Sequence, residues 1–175
     1  MLEGKAVVLR MTESADVPTI HAIASAGAAT LFWDNGALQL DGLMPVLLAH
    51  ESGTNAVLWT AWRGSEIVGF VSLNDVQPVH RSAEIKYGGV RADCAGSGIA
   101  TEITEIVLRL AFTTLNLNRV TGRAYASHQP ICRLRERAGF RLEGVLQDAV
   151  WKTDHWESLN LYAILRSEWA ARQTG

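Results

Sequence analysis

Gly96-Ser97-Gly98 stands directly before a run in which Ile99, Ile103, Ile106, Val107, Leu110 and Ala111 recur with the period of a helix. Leu108, Phe112 and Leu115 widen that stripe and predict a helix buried on more than one side. A glycine loop that opens a helix aims unpaired backbone N–H groups at one point, with the positive end of the helix dipole behind them. The chemistry on offer is anion binding, and a pyrophosphate is the natural guest. Glycine suits such a loop because a Cβ would obstruct a phosphate approaching the main chain or forbid the dihedrals required. Main-chain donors from Gly96, Ser97, Gly98, Ile99 and Ala100 are therefore the expected anion contacts. Just upstream, Glu84 and Lys86 lie two residues apart in Ala83-Glu-Ile-Lys-Tyr-Gly-Gly-Val90. On a strand they share a face, and an ion pair between them is expected. Other phosphate loops fit less well. No Gly-Lys-Ser/Thr follows, and a dinucleotide fingerprint would need a small residue at Thr101 and an acid about 20 residues on, where the chain reads Leu-Asn-Leu-Asn-Arg-Val.

The elements that must position this loop can be taken in chain order. Ala6–Met11 reads as a strand, and Pro18 fits the first turn of a short helix carrying Val17, Ile20, Ile23 and Ala24. Leu31-Phe32-Trp33-Asp34 forms an aromatic cluster beside a turn, and Asp41 caps a second helix that stops at Gly53. Val57–Trp62 and Glu66–Leu73 form a hairpin across Arg63-Gly64-Ser65, followed by a loop from Val76 to His80. Arg81–Val90 is the third strand of this meander, with a bulge or splay at Gly88-Gly89. After the long helix, Arg119–Ala126 returns as a parallel strand. Pro130 then opens a helix with Ile131, Leu134 and Ala138 buried and Gly139 as its stop. Phe140–Trp151 and Trp156–Leu165 close the chain as an antiparallel pair.

Composition bounds the function classes. A chain of 175 residues with 48% hydrophobic and 19% charged residues suits one globular domain, and no linker or repeat divides it. A net charge of −2 leaves no basic footprint for nucleic acid or for an anionic membrane, so neither is an expected partner. Cys94 and Cys132 have no metal-ligand or redox spacing, which predicts free thiols, a reducing cytoplasm and no metal. The N-terminal apolar run is too short for a signal peptide, and a soluble cytoplasmic protein is expected.

Three segments together carry a family resemblance: Glu84-Ile85-Lys86-Tyr87 on the strand, Gly96-Ser-Gly98-Ile-Ala-Thr101 at the helix start, and Gly139-Phe140-Arg-Leu-Glu143-Gly144. They resemble the acyl-CoA-binding and flanking motifs of the GNAT N-acetyltransferase superfamily, most closely its RimJ/RimL branch. The likeness runs in element order from about Val7 to Trp169 and is most specific between Glu84 and Gly144. It implies an α/β (α+β) fold, a mixed, mostly antiparallel splayed sheet flanked by helices. It implies acetyl-CoA as cosubstrate and direct acetyl transfer to a primary amine, either a protein N-terminus or a small molecule. A homodimer is compatible with it.

The resemblance also assigns roles. Glu84 matches the strand glutamate that takes the amine proton, often through water. The main chain at Val90, where the sheet splays, would hold the oxyanion. Tyr162 matches a tyrosine of the last strand, and with Trp33 and Asp34 it would line the acceptor pocket. Five departures stand out. Asp93 occupies the place of Arg or Gln in the loop motif, Lys86 that of Gly, and His128 that of Asn. Ile131 and Arg135 hold the positions of the Ser and Tyr proton donors of different branches, which leaves His128, Ser127, Cys132 or water to protonate the thiolate. Arg133, Arg135 and Arg137 are read as a solvated helix face that can reach CoA phosphates. A CoA- or acyl-CoA-binding protein without efficient catalysis is the alternative reading, motivated by the missing donor and by Lys86.

Overall fold

The computed structural model describes residues 1–26, 56–152 and 154–174. The strands are β1 (Leu2–Glu3), β2 (Val8–Met11), β3 (Val57–Arg63), β4 (Glu66–Gln77), β5 (Ser82–Val90), β6 (Arg119–Tyr125), β7 (Arg141–Lys152) and β8 (His155–Leu165). The helices are α1 (Val17–Ala26), α2 (Ile99–Arg109), α3 (Gln129–Arg137) and α4 (Arg166–Gln173). The strands form one sheet in the order β1-β2-β3-β4-β5-β6-β8-β7. Each neighbouring pair is antiparallel except β5 and β6, which are parallel because α2 crosses between them. The mixed, mostly antiparallel architecture expected from the sequence is present.

Strand alternation sends successive side chains to opposite faces, and the core divides accordingly. Leu58, Ile67 and Phe70 pack with Val17, Ile20 and Ile23 of α1. Their neighbours Trp59, Val68 and Val71 join the larger cluster with Ile99, Ile103, Ile106 and Val107 of α2. Beyond Arg109 the helix widens into a π turn, Leu110–Thr114. Phe112 is fully buried there, its ring 5.5 Å from that of Trp169 on α4.

Several boundaries differ from expectation. β4 continues to Gln77, which pairs with Ser82, so the loop expected from Val76 begins later. α4 carried no sequence signal that singled it out. On α3 and at its C-cap the buried residues are Cys132, Arg135 and Ala138, whereas Ile131 and Leu134 are only partly covered. The expected helix from Asp41 to Gly53, with Trp33 and Asp34, lies outside the described residues. Among the described residues no helix is long and apolar enough to cross a membrane.

The feature that shapes the site is a parting of strands. β5 and β6 pair from Ser82↔Arg119 to Ile85↔Gly122 and no further. β5 nevertheless stays on β4 as far as Gly69↔Val90. Its second half therefore has a neighbour on one edge and an opening on the other. Leu73 pairs with Ile85 but Val71 with Gly88, so β5 carries an extra residue between Ile85 and Gly88. That bulge falls just ahead of the expected Gly88-Gly89 and adds local twist. Close approach of β4 to β5 continues past it, since a Cβ on Gly69 would lie 2.8 Å from the Gly89 oxygen.

Glu102, in the first turn of α2, ties this arrangement to the start of the chain. Its Oε1 accepts N–H bonds from Ala6 at 2.7 Å and Val7 at 3.3 Å. Glu102→Ala is therefore expected to lower unfolding free energy by about 1–2 kcal/mol in urea denaturation, because two N–H groups lose a charged acceptor. A change within about 0.5 kcal/mol, typical of an inert surface substitution, would contradict this.

Candidate active site

A cleft of about 1100 Å³ runs from the glycine loop, past the open edge of β5, to the buried side of α3. Gly96 and Gly98 line one end, Gly88 and Val90 the middle, and Leu134 and Arg135 the far side. Gly96 has φ +76° and Gly98, the N-cap of α2, φ +88°. A Cβ at either position meets nothing within 4 Å, so glycine is required here by torsion and not by contact with other protein atoms. The first helical bond is Glu102 N–H to Gly98 O at 3.0 Å. The N–H groups ahead of it have no partner within the helix, and they front the open side of the loop. Not all five expected residues contribute alike. Ser97 directs both its N–H and its hydroxyl to Cys94 O, at 3.3 and 2.6 Å, so its N–H is already engaged. Ala100 and Thr101 line the cleft instead.

Asp93 places less negative charge near this loop than the sequence suggests. Arg91 grips it through two bonds of 2.7 and 2.9 Å and also reaches Glu66 at 3.2 Å. The guanidinium holds the Asp93 carboxyl below the usual carboxylate range. Ala92, Cys94 and Ala95 contribute to the cleft lining.

Where the strands part, charged groups occupy both faces. Ala83 and Ile85 belong to the α2 core, so the intervening Glu84 emerges on the α1 face, 6% exposed. It forms an ion pair with Arg123 of β6 at 3.1 Å. The parallel register explains this. Glu84 stands opposite Thr121, which puts Arg123 one diagonal step away on the same face. The bulge after Ile85 interrupts the alternation on which a shared Glu84–Lys86 face depends. Glu84 is thus a buried carboxylate with a cation on the neighbouring strand, and Lys86 and Arg123 line the cleft.

On the opposite face, Arg135 of α3 reaches the last paired residues of β5 and β6. Its Nη2 donates to Ile85 O at 3.1 Å. A Cβ on Gly122 would sit 2.8 Å from its guanidinium carbon, so the strand glycine admits the side chain. Arg133, Arg135 and Arg137 therefore do not share a solvated face. Steps of two on a helix turn about 200°, which sends Arg135 inward and the other two outward.

The remaining candidates separate by their partners. His128 lines the cleft at the N-cap of α3, and its Nδ1 is buried without a hydrogen-bond partner among the described residues. Burial, aided by the nearby charge of Lys152, lowers its pKa below 6.5, so the ring is neutral at pH 7. Ser127 is bonded to Glu157 through its hydroxyl at 3.0 Å, and Cys132 donates to Tyr125 O at 3.6 Å. Tyr162 sits in the main core, 2% exposed, with its hydroxyl 3.4 Å from Glu136. Burial, with Cys132 adding to it, pushes its phenol up to about 12. It packs beneath α3 and does not line the cleft. Trp33 and Asp34 lie outside the described residues. Among the described residues no group of three or more His, Cys, Asp or Glu side chains gathers to hold a metal ion. Sequence reasoning did not find Arg123 or the inward turn of Arg135. The one usable signal was Gly122, an isolated glycine within a strand, which marks a close approach.

A splayed mixed sheet, with a helix-opening anion loop beside the splay, defines the GNAT class of fold. The chain belongs to the GNAT acetyltransferase family, whose domain model, "Acetyltransferase (GNAT) domain", matches residues 6–141. It is 32% identical to YdaF of Bacillus subtilis over 103 residues, 59% of this chain and 56% of that protein. It is 26% identical to the ribosomal-protein-serine acetyltransferase of Escherichia coli over 117 residues, 67% of this chain and 64% of that one. The matches thus span less than two thirds of either relative. The fold is similar to that of a Vibrio cholerae spermidine N-acetyltransferase solved with CoA and spermine, with a TM-score of 0.84 at 22% identity over 94% of this chain and 98% of that one.

Two outcomes are expected of this site. Gly98→Val places a β-branched residue at φ +88° and should raise the acetyl-CoA dissociation constant at least about tenfold by calorimetry, with the fold retained. Unchanged affinity would contradict the loop assignment. The His128 ring should titrate below 6.5 by NMR, and its midpoint should rise when Lys152 is replaced by Met. A midpoint at or above 6.5 in the wild type would contradict the burial argument.

Proposed function

We propose that the protein is an acetyl-CoA-dependent N-acetyltransferase that moves the acetyl group directly to a primary amine, on a peptide N-terminus or a small molecule. The observation that carries this reading is the continuity of one cleft from the helix-capped anion loop to the gap between β5 and β6. A diphosphate at the loop leaves an attached acyl arm free to enter that gap.

The residues then divide the chemistry. The N–H groups of Gly98, Ile99, Ala100 and Thr101 bind the pyrophosphate. The open edge of β5, at Val90, offers main-chain donation to the thioester oxygen as it becomes an oxyanion, a contribution of about 3 kcal/mol per donor in other acyl-transfer enzymes. The acceptor approaches from the α1 face, where Glu84 lies. Alkylammonium groups titrate near 10, so the amine must give up a proton before it attacks. Glu84 accepts that proton, directly or through water, and Arg123 fixes the carboxylate by binding one oxygen. His128, neutral at pH 7, is a second acceptor on the proton's way out.

The test is thiol release from acetyl-CoA against a panel of peptide N-termini, polyamines, amino acids and aminoglycosides. Acetyl-CoA binding without release on any amine would favour the non-catalytic CoA-binding alternative. With the best amine, Glu84→Gln should lower kcat by about 10²-fold with acetyl-CoA binding retained. Activity within a factor of three of the wild type would reduce Glu84 to a structural partner of Arg123.

A further inference from the structure

Among the described residues, none of the hydroxyl, thiol or imidazole groups weighed as donors is placed to give a proton to the departing sulfur. Ser127 is held by Glu157, and Cys132 by Tyr125 O. Tyr162 is directed at Glu136 and packed in the core. His128 is neutral at pH 7, as derived above. A cation does stand at the gap on the α2 and α3 face. Arg135 is 7% exposed and lines the cleft, and its Nε is buried with no hydrogen-bond partner among the described residues.

We propose that Arg135 stabilises the leaving CoA thiolate electrostatically, in place of a proton donor. This rests on the acetyl-CoA reading above. The site is built around the guanidinium. Nη2 is anchored on Ile85 O, the Phe140 ring lies 5.2 Å from the guanidinium carbon, and Gly122 leaves room where a Cβ would not. A buried cation with an unmade hydrogen bond is costly unless an anion offsets it. Burial brings Arg135 down to about 10, with Glu84 and Tyr162 opposing that fall, so it remains a cation at pH 7. Glu84 lies beside the gap and faces α1 in its pair with Arg123. Lys86 of β5 and Arg123 of β6 add positive charge to the cleft lining, and Glu136 of α3 is turned to Tyr162.

The step balances without an acid. The ammonium gives one proton to the Glu84 side. The amine nitrogen then bonds the carbonyl carbon and loses its second proton to solvent water as the tetrahedral adduct collapses to the amide. The C–S bond breaks with its electron pair on sulfur. The sulfur departs as a thiolate beside Arg135 and gains a proton from water after release.

The decisive experiment titrates the thiol of CoA bound to the wild-type protein. Thiolate absorbance is read against the same protein saturated with desulfo-CoA. A free thiol titrates near 8.5, and cationic neighbours lower that value. Bound CoA should titrate at least one unit below free CoA, Arg135→Gln should abolish more than half of that shift, and Arg135→Lys should retain more than half. Arg135→Gln should also lower kcat at least tenfold with KM for acetyl-CoA within threefold. A bound thiol that titrates with or above free CoA in the wild type overturns the inference even if no variant folds, as does a shift that survives in Arg135→Gln. If CoA does not bind at all, the acetyl-CoA reading falls and this inference with it. Binding with an unshifted thiol removes this inference alone.

Discussion

The loss of pairing between β5 and β6 beyond Ile85↔Gly122 is the constraint on which the rest of the site depends. A parallel pair that ran on would close the sheet and satisfy the β5 edge with β6. Because it stops, the residues from Lys86 to Val90 present backbone to a cleft while β4 still holds them from the other side. Unpaired main-chain polar groups away from water need partners. A thioester carbonyl is such a partner, and this is why an opening in the sheet suits acyl transfer. The same parting gives the site two faces. The glycine loop, α2 and Arg135 belong to one, Glu84 and Arg123 to the other.

Charge at the opening is organised across the sheet and not along one strand. Glu84 and Arg135 emerge on opposite faces next to the last paired residues, each within its own set of contacts. A carboxylate on one side and a cation on the other suits a reaction in which an amine arrives from one face and a thiolate leaves from the other. Electrostatic preorganisation of this kind works because the groups are fixed before reaction and partly removed from water. Phe140 has a part in this as well as in the core, since its ring flanks the Arg135 guanidinium. Glu143 of the same motif binds Arg119 at the start of β6, and so helps set the strand whose other end diverges.

Much of this was legible in the sequence because it is local. The period of Ile99, Ile103, Ile106 and Val107 specified α2, the glycines before it specified the tight loop that opens it, and Arg63-Gly64-Ser65 specified the β3–β4 hairpin. The positive φ values of Gly96 and Gly98 follow from the same local logic. What could not be read depends on which strands meet. Lys86 was the natural partner of Glu84 by spacing. Arg123, 39 positions away, becomes a partner only through the parallel register and the bulge after Ile85. Arg135 was assigned to solvent because Ile131 and Leu134 gave α3 an apolar stripe. In the fold those two line the cleft, and the buried line is Cys132, Arg135 and Ala138. Pattern alone does not reveal that a helix buries an arginine, since the room for it is created by a glycine on another strand.

The central claim is that the acyl group is handed over within the gap between β5 and β6. A crystal structure with a non-reactive acetyl thioester analogue of acetyl-CoA tests it most directly. The account predicts the pyrophosphate against the N–H groups of residues 98–101 and the carbonyl oxygen within hydrogen-bond distance of the β5 edge between Lys86 and Val90. It also predicts the sulfur on the Arg135 side of the sheet. A thioester lying outside the gap, or a sulfur turned to the Glu84 face, would contradict it.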